Sequence, residues 1–253
     1  MSNANAAAPA PSETVGGVLL LSNDPATIEQ VSESMRQLAM SPEICADVQA
    51  ALGLLAQRKF EAVMVDLQVG GRASAVLEKV RLSPSNRTAV LFTICGDEAE
   101  TASAFKAGSN FVLTRPLSLA SIDRSLKVAY GMIVRERRRY FRCPVEIPVT
   151  ICKPPTPEIH GRTVNISEGG IAIATTVSLE PGIKVQVQFT LPGHETPFAV
   201  DATICWCKET YLGLQFTSPS PDLKSELQEW LSRRLEQSLP QSVADKFRKT
   251  DGV

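Results

Sequence analysis

Apolar residues follow two different rhythms along this chain, and the change between them falls near residue 134. Before it, short apolar runs alternate with segments whose apolar positions recur every three or four residues. Gly17–Leu21, Ala62–Val65, Ala89–Thr93 and Phe111–Leu113 read as buried strands. Pro25–Ala39, Cys45–Arg58, Ala73–Arg81 and Ala99–Ala107 read as amphipathic helices, the last stopped by Gly108. A further strand near Glu43–Ile44 is only weakly written. Strands that are apolar on both faces, separated by helices, predict a parallel sheet covered on two sides. Ser118 then opens a longer helix, with Leu119, Ile122, Leu126, Ala129 and Ile133 along one stripe.

Beyond the change, β-branched and alternating segments are punctuated by Gly, Pro and Asn. Val145–Cys152, Thr163–Ile166, Ile171–Thr176, Lys184–Leu191, Phe198–Trp206 and Leu212–Phe216 predict a small antiparallel barrel or sandwich. Leu223, Leu227, Trp230, Leu231 and Leu235 mark a closing amphipathic helix. The expected organisation is a lead-in over 1–15, a doubly wound parallel-sheet domain over 16–134 that includes the long helix, a small antiparallel β-barrel with a C-terminal helix over 135–239, and a tail over 240–253. The Ala, Pro, Ser and Asn of the lead-in predict disorder there, and the tail is expected to be flexible.

Composition narrows the function classes. With 253 residues, 43% hydrophobic and 21% charged, the chain is long enough for two ordinary globular domains. A net charge of −1 selects neither a nucleic-acid polymer nor a membrane surface, so any anion site must come from local clustering. The six cysteines are scattered with no x₂ spacing and there are only two histidines, which argues against a zinc site and for a reduced, cytoplasmic protein. No nucleophile–base pair is legible, so the chain is read as a non-enzyme with no cofactor. Cys205 and Cys207 are expected to be small fillers of one sheet face, with Trp206 packed into the barrel from the other.

Two local features supply the chemistry. Arg135–Arg142 holds five Arg against one Glu, a local excess of four positive charges on a nearly neutral chain. The guanidinium is a planar, permanently charged fork, suited to phosphate oxygens or to the O6/N7 edge of guanine. Arg138 and Arg142 share a face if the segment is helical, and clamp from two sides if it is extended. The second feature is Asn165-Ile166-Ser167-Glu168-Gly169-Gly170, between two expected strands. Asn and Ser offer short hydrogen-bonding side chains, and the glycines permit positive φ and close main-chain approach.

Together, Arg138-x-x-x-Arg142 and Asn165-x-Ser167-x-x-Gly170 resemble the two signatures of the PilZ domain, a bacterial receptor module for cyclic di-GMP. Ile204-Cys205-Trp206 and Leu212–Phe216 resemble its closing hairpin, so the likeness spans about residues 135 to 236. It implies a cyclic di-GMP site in which Arg138 and Arg142 grip phosphates and guanine edges while Asn165, Ser167 and Gly170 hold the other guanine. Arg137 and Arg139 flank the motif as additional phosphate contacts.

Residues 17–132 resemble the response-regulator receiver domain through Val18–Pro25, Phe60–Leu67, Phe92-Thr93, Lys106–Gly108 and Leu113–Pro116. That likeness implies a phosphoacceptor at Asp66, with Thr93 at the hydroxyl position. The acidic pair that would hold Mg²⁺ is replaced by Ser22 and Asn23, and Arg115 stands where a Lys is expected. Hard anionic oxygens are needed to offset dehydration of Mg²⁺, so this half is read as a pseudo-receiver, a docking or dimerisation scaffold.

The chain is therefore expected to be a cytoplasmic, two-component-type signalling protein that binds cyclic di-GMP and changes its domain arrangement or partner contacts. Its partners would be another signalling, motility or envelope protein, or a second copy of itself. Two other readings stay open: an adaptor with no nucleotide ligand, and a regulator switched by phosphorylation at Asp66.

Overall fold

The computed structural model describes residues 17–237 apart from 71, 154 and 156, so the lead-in 1–15 and the tail 240–253 lie outside the described residues. The chain separates into two compact units that divide between Arg137 and Arg138. No helix of the described residues is long and apolar enough to cross a membrane.

The first unit contains β1 (Gly17–Leu21), α1 (Pro25–Gln37), β2 (Ser41–Cys45), α2 (Val48–Gln57), β3 (Ala62–Asp66), α3 (Ser74–Leu82), β4 (Val90–Cys95), α4 (Glu98–Lys106), β5 (Phe111–Thr114) and most of α5 (Leu119–Tyr140). Its five strands are parallel in the order β2-β1-β3-β4-β5, the doubly wound arrangement expected. Every residue of β3 and β4 is buried, because helices cover both faces. Each buried Leu, Ile or Val contributes about 1.5–3 kcal/mol relative to exposure. β2 occupies an edge and exposes Ser41 and Ile44. Its Pro42 is tolerated there because an edge strand need not pair on both sides, which also explains its weak sequence signal. Cys45 ends β2, and the following helix starts only at Val48, capped by the Asp47 side chain on Ala50 N at 2.9 Å.

α5 runs without interruption through Arg135–Tyr140, six residues beyond Val134. The arginine-rich segment is thus the last turns of a helix. Its Glu136 is buried in the first unit, where it accepts from Lys59 Nζ at 2.7 Å and from the Thr88 hydroxyl. Arg137 turns to Glu61, 3.9 Å away in the same unit.

The second unit is built from β6 (Cys143–Pro144), β7 (Pro148–Cys152), β8 (Ile159–Ser167), β9 (Gly170–Thr175), β10 (Lys184–Phe189), β11 (Phe198–Lys208), β12 (Tyr211–Phe216) and α6 (Pro221–Gln237). Of the expected strand Val145–Cys152 only Pro148–Cys152 forms, as β7, and the short β6 lies ahead of it at Cys143–Pro144. The antiparallel order β6-β8-β7-β10-β11-β12-β9 is closed by pairing of β8 with β9, giving a barrel. Strict alternation in β10 sends Val185, Val187 and Phe189 inward and their polar neighbours outward. Ile151, Ile166, Ile173, Val187, Ala202, Ile204 and Leu212 meet inside, and Leu223, Leu227, Trp230 and Leu231 of α6 join the same core. Trp230 satisfies its indole N–H on Pro192 O at 3.1 Å.

Candidate functional site

The barrel carries a cavity of about 400 Å³ across the neighbouring strands β8, β9, β12 and β11. β8 supplies Asn165 and Ser167, β9 supplies Gly170 to Ala172, β12 supplies Gly213 to Gln215 and β11 supplies Cys205 and Trp206. Arg139 and Tyr140 at the end of α5, and Arg142 just after it, complete the lining.

Two β-bulges shape this wall. In β8 the register slips between Thr163 and Asn165, so Val164 is the extra residue and Thr163 and Ile166, three apart, both point inward. In β11 it slips between Ile204 and Trp206, leaving Cys205 unpaired. Bulges re-aim side chains, and this one reverses the alternation that the sequence predicts. Cys205 and Trp206 are both exposed, while Cys207 packs against the core. Trp206 is therefore not core packing: it is 44% exposed and lies over Gly213, where an added Cβ would come within 2.1 Å of the indole.

The Asn-x-Ser-x-x-Gly stretch is a two-residue hairpin turn, with Ser167 opposite Gly170. Ser167 Oγ donates to Gly170 O at 3.2 Å and Phe216 N donates to Gly169 O at 3.0 Å, tying the turn to the end of β12. Neither Gly169 nor Gly170 adopts positive φ, contrary to expectation. Gly170 is required by close approach, because a Cβ there would sit 2.2 Å from Leu214 O. Main chain rather than ligand makes that approach.

The two motif arginines fall on either side of a helix end. α5 stops at Tyr140, with Phe141 N bonding back to Arg138 O at 3.2 Å, so Arg142 leaves the helical face that Arg138 occupies. Arg142, Asn165, Ser167 and Gly170 line the cavity together, with Arg139 beside them. Arg138 is half-buried on α5 and does not line it. Arg137 is engaged with Glu61 instead. Among the described residues neither Arg139 nor Arg142 pairs with a carboxylate, and the lining contains no acid. An exposed indole, a tyrosine, two guanidinium groups and short amide and hydroxyl donors suit a planar, anionic ligand.

The parallel unit has a second polar constellation at its strand ends. Asp66 is fully buried at the end of β3. Its Oδ2 accepts from Ser22 Oγ at 2.9 Å and from Arg115 Nη2 at 2.8 Å, and its Oδ1 accepts from Gln68 N at 3.1 Å. Arg115 also donates to Thr27 Oγ1 at 3.0 Å and to Asp24 Oδ2 at 3.4 Å. Asp24 is the N-cap of α1, and its hydrogen bond from the Thr27 hydroxyl is the main influence holding its carboxyl below the usual range. Thr93 bonds to the Ser109 hydroxyl rather than to Asp66. Among the described residues no group of three or more His, Cys, Asp or Glu is arranged to hold a metal ion.

Residues 136–233 match the family model described as the PilZ domain. The second unit is a PilZ domain. The cellulose synthase catalytic subunit (UDP-forming) of Xanthomonas axonopodis pv. citri is 31% identical over 106 residues, covering 41% of this chain and 14% of that protein. This chain therefore corresponds to only a small part of that relative's length. Among solved structures, the receiver domain of a sensor histidine kinase from Pseudomonas aeruginosa is similar at 18% identity and a TM-score of 0.42, covering 46% of this chain and 98% of that one. The inhibitor of motility of Bacillus subtilis is similar at 25% identity and a TM-score of 0.35, covering 39% of this chain and 51% of that one.

Within the PilZ domain, sequence reasoning favoured barrel packing over ligand stacking for Trp206 and did not single out Tyr140 or Gln215, all three of which line the cavity. A signal for Trp206 was present. An aromatic and a Gly on the two arms of an expected hairpin can be cross-strand partners, as Trp206 and Gly213 are here. The bulge that turns Trp206 outward leaves no comparable mark.

Proposed function

We propose that the chain is a cyclic di-GMP-binding signalling protein whose PilZ cavity receives the dinucleotide. The observation that carries the reading is the convergence of Arg142 with the Asn165, Ser167 and Gly170 turn, from separate elements of the chain, on one acid-free cavity. In this reading Arg138 and Arg142 bind phosphate oxygens and guanine edges, with Arg139 adding phosphate contact. Asn165 and Ser167 hydrogen-bond a second guanine edge beside the close turn at Gly170. Trp206 offers its exposed face as a stacking platform, worth about 1–3 kcal/mol per base. Binding acts through residues 135–142 on the arrangement of the two units or on partner contacts. The parallel unit serves as a scaffold in signalling, without phosphorylation at Asp66.

Calorimetric titration of cyclic di-GMP into the full chain, beside Arg138→Ala/Arg142→Ala, tests the reading. Micromolar or tighter binding that the double variant loses is the expected result. No binding by the parent would sink it and leave the arginines for an acidic protein partner. Unchanged small-angle scattering at saturating ligand would remove the rearrangement while leaving the receptor.

A further inference from the structure

Open parallel sheets take their ligands outside the carboxyl ends of the strands, where the strand order reverses. In the first unit that place lies between β1 and β3. Ser22, Asp24 and Thr27 approach it from the β1–α1 connection and the start of α1, Asp66 from the end of β3 and Arg115 from just after β5. A carboxylate at such a position is ordinarily completed by something from outside. Here it is completed from inside.

We propose that Arg115 is a built-in cation of this crevice: its guanidinium stands in for an oxygen-ligated divalent ion and closes Asp66 to phosphoryl donors. Three oxygens from three side chains, Asp66 Oδ2, Thr27 Oγ1 and Asp24 Oδ2, converge on its two terminal nitrogens at 2.8, 3.0 and 3.4 Å. These are hard oxygen donors of the kind Mg²⁺ takes, but Mg²⁺ demands near-octahedral oxygens at about 2.0–2.1 Å. A second positive charge beside the guanidinium would meet direct repulsion. The residues therefore do not fit the metal that the receiver likeness implies.

Phosphoryl acceptance is closed by the same contacts. An accepting oxygen must approach phosphorus in line, and Asp66 Oδ2 already holds two donors while the residue has no exposed surface. Lys at this position would be a flexible point charge able to swing away. The Arg fork is planar and is held by several partners at once. The crevice is thereby fixed in one state, leaving the PilZ domain as the ligand-responsive unit.

The test uses the full chain. Acetyl phosphate with Mg²⁺ should add no phosphoryl mass to the parent, and Mg²⁺ with trifluoroberyllate should not move its melting temperature. Arg115→Ala should lower the melting temperature by roughly 5–10 °C, since it strands a buried carboxylate. Millimolar Mg²⁺ should restore part of that loss, because the oxygens now face a vacated volume. Arg115→Ala/Asp66→Asn removes the stranded charge, so it should melt closer to the parent and ignore Mg²⁺; it also serves if the single variant does not fold. A phosphoryl group on the parent that Asp66→Asn abolishes would overturn the proposal. So would Mg²⁺ stabilisation of the parent, or an unchanged melting temperature in Arg115→Ala.

Discussion

The two units use arginine in opposite ways. Arg115 is engaged internally, with Asp66, Asp24 and Thr27 on its two terminal nitrogens. Arg142 and Arg139 stand at a cavity without an acid in its lining. A guanidinium neutralised by its own chain contributes to structure, whereas one left open beside a cavity is positioned for an anion from outside. The same division runs through the single segment 135–142. Glu136 and Arg137 are engaged by Lys59, Thr88 and Glu61, while Arg139 and Arg142 line the cavity. A run that reads as one positive cluster is therefore partitioned by helical geometry into residues engaged within the first unit and residues that line the cavity.

The largest expected effect falls on the structural side. Glu136→Ala should destabilise the chain by about 3 kcal/mol, because it leaves Lys59, only 18% exposed at its side chain, without that carboxylate. Thermal and urea melts of the two proteins check this. A loss under about 0.5 kcal/mol would place Glu136 with ordinary surface ion pairs and blur the partition. Next comes the binding side. Arg142→Ala should weaken cyclic di-GMP about 10- to 100-fold, as expected for loss of a charge-assisted hydrogen-bonding group, without lowering the melting temperature. A destabilised Arg142→Ala would mean that this arginine, too, is structural. Gly213→Val should follow, at about tenfold, since a side chain there must displace the Trp206 indole. Trp206→Ala should weaken binding to a similar degree; if Gly213→Val alone did so, the stacking role would be lost and simple blockage would remain.

These cases also mark what was legible beforehand. The parallel sheet and most of its helices follow from apolar runs and caps, because buried strands and amphipathic helices leave strong periodic signals. β2 was faint because an edge strand with Pro42 and an exposed Ile44 carries little apolar contrast. Asn165, Ser167, Gly170 and Arg142 were singled out by their resemblance to the PilZ signatures, and their meeting at one cavity depends on closure of β8 against β9. Trp206 was misassigned because a β-bulge inserts one residue and flips every side chain after it, and no residue type requires it in advance. The receiver likeness assigned Asp66 and Arg115 to one site, but their direct ion pair, between members 49 positions apart, has no local mark in the sequence. In each failure a long-range or register effect overrode a local pattern.

The smallest effect sharpens the comparison at a buried acid whose pairing is incomplete. Glu61 accepts from Gly17 N, but its partner Arg137 is 3.9 Å away. Burial is the dominant influence and pushes the carboxyl of Glu61 above its ordinary range, with Arg137 opposing. Its folded pKa therefore lies above its unfolded value of about 4.3. The stability it contributes is complete below that value and is lost as pH rises through the folded pKa. At neutral pH the ionised Glu61 thus costs stability relative to a neutral group of the same shape. Glu61→Gln is expected to be more stable than the parent at pH 7 by a few tenths to about 1 kcal/mol, with the difference shrinking toward zero below about pH 4. Melting both proteins from pH 4 to pH 8 measures it. A Gln variant less stable at pH 7 would show that attraction to Arg137 outweighs burial, moving Glu61 into the same fully compensated class as Asp66.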